Sequence, residues 1–170
     1  MKIAICDDEK IFLKKMNNLI VSSYANPDKL IICEFESGEQ FLSQFKANQF
    51  DVIILDIEMK ELTGLDVAEK IRETDKAVII AFLTSHQEFA PNGYEVNAFR
   101  YLLKGQPEQM YIKQLRSIFN EYHQTHMAFS VQMSNTVFNV AVSDILYFEI
   151  FKRTIVLHTR INKYQFNGKL

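Results

Sequence analysis

Residues 52–72 read VIILDIEMKELTGLDVAEKIR. Val52–Leu55 is apolar at every position and stops at Asp56. An alternating run would mark a strand with one wet face, whereas an unbroken apolar run is what a strand covered on both faces requires. Thr63-Gly64 then marks a loop, and Leu65, Ala68 and Ile71 recur at helical spacing. The stretch is therefore strand, carboxylate, loop and helix, in that order.

Strands and helices alternate on either side. Residues 2–6 (KIAIC) end at Asp7-Asp8-Glu9, and Phe12, Met16, Leu19 and Ile20 then predict a helix to about Ala25, broken by Asn26-Pro27-Asp28. Leu30–Phe35 is strand-like, and Ser37-Gly38-Glu39 opens a helix with Phe41, Leu42 and Phe45 on one face. Downstream, the apolar run Ala77–Leu83 ends at Thr84-Ser85, and residues 86–95 read as a weak helix interrupted by Pro91-Asn92-Gly93. Ala98–Leu103 reads as a fifth strand ending at Lys104, and Tyr111, Leu115, Ile118, Phe119 and Tyr122 stripe a fifth helix. Strands that alternate with helices predict an α/β fold with an open, doubly wound, five-stranded parallel sheet.

The periodicity changes after His126. Phe129/Val131/Met133, Phe138/Val140/Val142, Leu146/Phe148/Ile150 and Ile155/Leu157/Thr159 each alternate with period two, with Asn135 and Asn162 in turns. The expectation for 127–170 is an antiparallel all-β segment, distinct from a first domain over 1–123.

Composition narrows the class. The 170 residues are 48% apolar and 24% charged, with 14 Phe and 7 Tyr, so core material is plentiful and bulk disorder is excluded. No apolar run approaches the ~20 residues of a membrane span. The N-terminus turns acidic within seven residues and does not read as a signal peptide. Cys6 and Cys33 lie inside apolar runs, which suggests reduced packing residues of a cytoplasmic protein. Four scattered His argue against a zinc site. Residues 1–126 carry 14 Lys+Arg against 19 Asp+Glu, net −5, while 127–170 carry five against two, net +3. An acidic body with a basic tail points to two parts with different partners.

Ligands of an open parallel sheet bind beyond the carboxyl ends of its strands. Those ends carry Asp7, Asp8, Asp56, Thr84 and Lys104. Singly, each could be a helix cap or a loop acid. Together, three carboxylates at one edge call for a cation, and oxygen-only ligands favour Mg²⁺. Asp56, at the end of a central strand, is a candidate nucleophile toward a phosphoryl group. Lys104 would neutralise charge on the transferring oxygens, and the Thr84 hydroxyl could hydrogen-bond the new group.

The ordered set Asp7-Asp8, Asp56, Thr84 and Lys104, with the run LDIEMKELTGLDVAEKIR, resembles the receiver domain of two-component response regulators over residues 1–123. The resemblance implies a flavodoxin-like sheet and phosphorylation of Asp56 by a sensor histidine kinase. It further implies a direct Mg²⁺ ligand in Asp8, a water-mediated one in Asp7 and a backbone carbonyl ligand at Glu58. Tyr101 matches an aromatic switch that turns inward with Thr84, and self-association to a homodimer follows phosphorylation in related regulators. Two positions depart from the family: Lys60 and Gly105 stand where prolines are usual.

The stretch SDILYFEIFKRTIVLHTRINKYQFNGKL is similar to the first half of a LytTR-type DNA-binding domain, which places Lys152 and Arg153 in a DNA-facing loop. Such a domain needs about twice this length, so the expectation is a truncated β segment with exposed apolar faces at Phe138, Phe148 and Phe151. The function implied is phosphorylation-dependent control of transcription. A receiver acting only through protein contacts and a Mg²⁺-dependent phosphohydrolase are the alternatives.

Overall fold

Strands that are apolar on both faces must have helices on both faces, and parallel pairing provides them, because each crossover lays a helix across the sheet. The computed structural model describes residues 1–85, 95–133 and 136–167. The chain divides into two compact units, Met1–Tyr122 and His123–Leu170.

The first unit contains β1 (Lys2–Cys6), α1 (Lys10–Ser23), β2 (Ile31–Phe35), α2 (Gly38–Gln44), β3 (Val52–Asp56), α3 (Gly64–Thr74), β4 (Ile79–Thr84), β5 (Arg100–Leu103) and all but the last three residues of α4 (Glu108–Thr125). Its sheet is parallel throughout, in the order β2-β1-β3-β4-β5. This is the flavodoxin-like order, as the sequence predicts. The weak helix expected over 86–95 lies outside the described residues apart from Glu95, which sits in a turn over 95–97. The last strand starts at Arg100 rather than Ala98, because the chain is still turning at Asn97, whose φ of 49° is left-handed.

Alternation along the strands sorts the core into two layers. Ile3, Ile5, Val52, Ile54, Ala81, Leu83 and Leu102 pack with α1 and α4. Ala4, Cys6, Ile53, Leu55, Ile80 and Phe82 pack with α2 and α3. Every residue of β3 and β4 is buried.

Two local devices fix how β3 leaves the sheet. A capping box opens α3, with the Thr63 side chain accepting from Asp66 N–H and the Asp66 carboxylate accepting from Thr63 N–H at 2.9 Å. Gly64 N–H donates to Ile57 O at 2.9 Å, and a Cβ at Gly64 would stand 2.1 Å from the Asp56 carbonyl oxygen. Only glycine permits that approach. At the other end of α3, buried Asp75 accepts backbone N–H bonds from Asn48 (2.8 Å), Ala77 (3.0 Å) and Val78 (3.0 Å). Burial opposes the Asp75 charge, but these three bonds and Arg72 more than offset it and hold the carboxyl below its ordinary range.

The second unit contains β6 (Ala128–Met133), β7 (Thr136–Ala141), β8 (Ile145–Phe151), β9 (Thr154–Thr159) and β10 (Lys163–Asn167). It forms two antiparallel sheets, β6-β7 and β10-β9-β8. The all-β expectation holds, with two refinements. Val142, expected in a strand, enters a one-turn 3₁₀ helix over Val142–Asp144. Tyr164 and Phe166 alternate along β10, an additional strand. Asn162 lies in the β9–β10 turn, where its N–H donates to Thr159 Oγ1 at 2.9 Å, and Asn135 lies outside the described residues. The core is small: Val131, Val140 and Leu157, flanked by Met133, Ile145, Tyr164 and Phe166. Phe138, Phe148 and Phe151 are exposed.

Two outcomes are expected. Gly64→Ala should lower the denaturation midpoint, at a cost of about 1–3 kcal/mol for forcing a Cβ against backbone. Asp75→Asn should cost about 1–3 kcal/mol near neutral pH, since buried N–H groups lose a charged acceptor. Because the folded-state carboxyl titrates below its ordinary value of about 3.9, the wild-type advantage is full above that value and shrinks as pH falls through the folded one. Urea titrations at neutral and acidic pH would read both.

Candidate functional site

Parallel strands deliver all their carboxyl ends to one edge. Asp7 follows β1 directly, and its N–H is held by Phe35 O of β2 at 3.1 Å. Asp56 is the last residue of β3 and Thr84 the last of β4. Lys104 follows β5, where its N–H donates to Thr84 O at 2.7 Å. The backbone ladder thus sets the position of every group before any side-chain contact is made.

The side chains converge. Carboxylate oxygens of Asp7, Asp8 and Asp56 all lie within 4.8 Å of one another. Lys104 Nζ donates to Asp56 Oδ2 at 2.8 Å and to Glu9 Oε1 at 3.1 Å, and lies 2.9 Å from Asp7 Oδ2. That last contact is an ion pair without hydrogen-bond alignment, so buried Asp7 Oδ2 has no hydrogen-bond donor. Asp7 Oδ1 accepts from Glu9 N–H at 2.8 Å, and Asp56 Oδ1 accepts a long 3.4 Å bond from Glu58 N–H. The ring of Phe12 lies 4.3 Å beneath the ammonium.

The electrostatics follow from burial and pairing. The Asp56 carboxyl is raised to about 6: burial pushes it up most, the Lys104 hydrogen bond pulls it back, and the Asp7 charge adds to the rise. Burial likewise raises Asp7, against the pull of Lys104. Burial works against the Lys104 charge, but Asp56 and Asp7 more than compensate and raise its pKa above the ordinary lysine value. Cys6, whose Sγ donates to Met59 Sδ at 3.5 Å, has its thiol pushed up to about 12 by burial and by Asp7. It is a packing group and not a nucleophile.

The structure brings Asp7, Asp8, Asp56 and Lys104 into one pocket, with Thr84 buried at the adjoining strand end. The Glu58 side chain is exposed and its backbone N–H faces Asp56. Tyr101, on β5, is half-buried against Phe82 with ring centroids 5.2 Å apart. Lys60 is exposed. Gly105 has φ +84° with open space where a Cβ would be, a conformation that suits glycine. Lys152 and Arg153 lie in the second unit, in the exposed turn joining β8 to β9, where Lys152 takes a φ of 56°. Sequence reasoning gives Glu9, Phe12 and Gly64 no part in the site. Glu9 carried a signal in its place directly after Asp7-Asp8. Phe12 and Gly64 carried none, since their importance comes from what the fold sets beside them.

An oxygen-only donor set of three converging carboxylates fits a hard cation such as Mg²⁺. Among the described residues, no helix is long and apolar enough to cross a membrane.

The chain is similar to known proteins. The family described as the response regulator receiver domain matches residues 3–116. The sensory transduction protein LytR of Staphylococcus epidermidis is 36% identical over 104 residues, covering 61% of this chain and 40% of that protein. The sensory transduction protein LytT of Enterococcus faecalis is 23% identical over 181 residues, covering 100% of this chain and 74% of that protein. The chain spans 38% to 44% of the length of several such relatives. Among solved structures, the response regulator protein TrrA from Thermotoga maritima, in complex with Mg(2+)-BeF, gives a TM-score of 0.59 at 26% identity, covering 69% of this chain and 97% of that one. With its five-stranded sheet and its strand-end acids, this chain belongs to the response regulator receiver domain family.

Proposed function

We propose that Asp56 accepts a phosphoryl group from a sensor histidine kinase in the cytoplasm, and that the modified chain controls transcription through DNA contacts made by a LytTR-type region beginning at residue 127. The observation that carries the reading is the buried Asp56 carboxylate at a central strand end, paired to Lys104 at 2.8 Å beside Asp7 and Asp8. The likeness to LytT of Enterococcus faecalis along the whole chain supports the second half.

In this reading one Asp56 oxygen attacks the phosphorus, and the bond from phosphorus to the donor breaks as the leaving group departs with its electron pair. Asp7, Asp8, Asp56 and the Glu58 carbonyl would hold Mg²⁺, which when bound neutralises charge on the transferring oxygens. Lys104 turns toward the phosphoryl oxygens, and the Thr84 hydroxyl hydrogen-bonds the product. The added charge lies beside Thr84 and Lys104, and Tyr101 follows Thr84 inward. Dimerisation on phosphorylation then couples the site to output. The chain works as a regulator, not a turnover catalyst.

Lys152 and Arg153 suit DNA contact because a hairpin tip presents them free of the sheet. Arg160 sits in the β9–β10 turn, at the opposite end of β9. The two basic ends are therefore separable by mutation.

The phosphoacceptor assignment is tested with acetyl phosphate and Mg²⁺. Intact-mass measurement should show one added phosphoryl group on the wild-type chain and none on Asp56→Asn. Asp8→Ala should weaken Mg²⁺ dependence more than Asp7→Ala. Full labelling of Asp56→Asn would remove the assignment. For the second unit, Arg153→Ala in a regulator carrying the whole DNA-binding region should cost about 1–3 kcal/mol on its operator if the guanidinium reads a base, while Arg160→Ala costs little. Equal loss on operator and random DNA would reduce Arg153 to a phosphate contact.

A further inference from the structure

The Lys104 ammonium has three protons, and three carboxylates surround it within 3.1 Å. Two of these, Asp7 and Asp56, are buried with it. The third, Glu9, has a side chain 55% exposed. The Phe12 ring occupies a further side. Nothing about Glu9 is accidental to the local backbone. Its N–H is bonded to Asp7 Oδ1, and its carbonyl accepts from Phe12 N–H at 2.9 Å and Leu13 N–H at 3.3 Å. It occupies the position before α1, where a Ser, Thr, Asp or Asn side chain would normally cap the helix. The Glu9 side chain makes no capping bond and instead reaches a lysine 95 positions away in the chain.

A phosphoryl group on Asp56 brings new anionic oxygens to an ammonium whose neighbours are already in place. Lys104 must turn from one partner to meet them. The Asp56 charge passes to the phosphoryl oxygens themselves once its oxygen is bonded to phosphorus, whereas releasing Asp7 would leave a buried charge unpaired, which is the costly choice. Releasing Glu9 returns an exposed carboxylate to water, which costs little.

We propose that Glu9 is the positioning residue of this site and the partner Lys104 gives up on phosphorylation. It holds the ammonium in place in the unmodified protein and competes with the phosphoryl group for it afterwards. This inference rests on Asp56 being the phosphoacceptor. The covalent step is unchanged: the bond from the Asp56 oxygen to phosphorus forms, and the donor bond breaks with its electron pair leaving on the donor. Glu9 acts only on how readily Lys104 reaches the transferred oxygens.

The test uses the full chain with Mg²⁺ and beryllium fluoride, a stable stand-in for the phosphoryl group, measured by titration calorimetry at low and high salt. Glu9→Gln should bind the analogue about two- to five-fold more tightly than wild type at low salt, the scale of one exposed ion pair. The gain should shrink at high salt, because an exposed charge is screened. Glu9→Asp keeps the charge and suits the helix start, but is too short to reach Lys104, so it should also bind more tightly. A role in folding alone predicts weaker or unchanged binding in both variants at every salt concentration, and that result overturns the proposal. Tightening in Glu9→Gln but not in Glu9→Asp would make Glu9 a distant charge and overturn direct competition. A wild-type chain that takes no analogue, like Asp56→Asn, overturns the phosphoacceptor reading and Glu9's role with it. Binding by wild type and not by Asp56→Asn keeps the two questions separate.

Discussion

Lys104 is the counterweight on which the site depends. Four carboxylates, Asp7, Asp8, Glu9 and Asp56, gather at one sheet edge, and the ammonium contacts three of them. Without it, two buried acids would face each other with nothing but solvent to relieve them. Burial alone would favour a neutral lysine, yet Asp56 and Asp7 keep it charged. The same pairing restrains the upward shift that burial imposes on Asp56. Acid and base therefore each support the other's charge against the burial that opposes both.

That balance is built on backbone. The Lys104 N–H bonded to Thr84 O and the Gly64 approach to the Asp56 carbonyl are set by the main chain, and the Asp75 carboxylate holds the main chain after α3. Arg72 extends the arrangement. Its Nε donates to Val96 O at 2.8 Å and its Nη1 to Asp75 O at 3.0 Å, so the end of α3 is tied to the turn that precedes β5. The strand carrying Tyr101 and leading to Lys104 thus starts from an anchored point.

Much of this was legible in the residues. The unbroken runs at 52–55 and 77–83 announce strands buried on both faces, and the polar residues closing them, Asp56 and Thr84, mark the edge where chemistry collects. Asp7, Asp8, Asp56 and Lys104 were found because parallel topology converts strand ends into neighbours. Glu9, Phe12 and Gly64 were not, because their parts depend on distances that no spacing rule encodes. Gly64 looked like an ordinary loop glycine until the Asp56 carbonyl appeared where its Cβ would be. In the second unit, period two located the strands but not which apolar residues are covered. Val131 and Val140 are buried while Leu146 and Ile150, in an equally regular pattern, are exposed. Alternation identifies two faces of a strand and is silent on which has a partner.

The strand order has a kinetic consequence. In the second unit every strand pair joins sequence neighbours: β6 with β7, β8 with β9, β9 with β10. Such hairpins close short loops and form on microsecond timescales. In the first unit β1 pairs with β3, so Ile3 must find Val52 across the whole of α1, β2 and α2. Loop-closure entropy is spent there before any contact rewards it. The two halves of one chain therefore reach their native pairing by different routes, the C-terminal half by local zipping and the N-terminal half only after a long-range search that begins at the second residue.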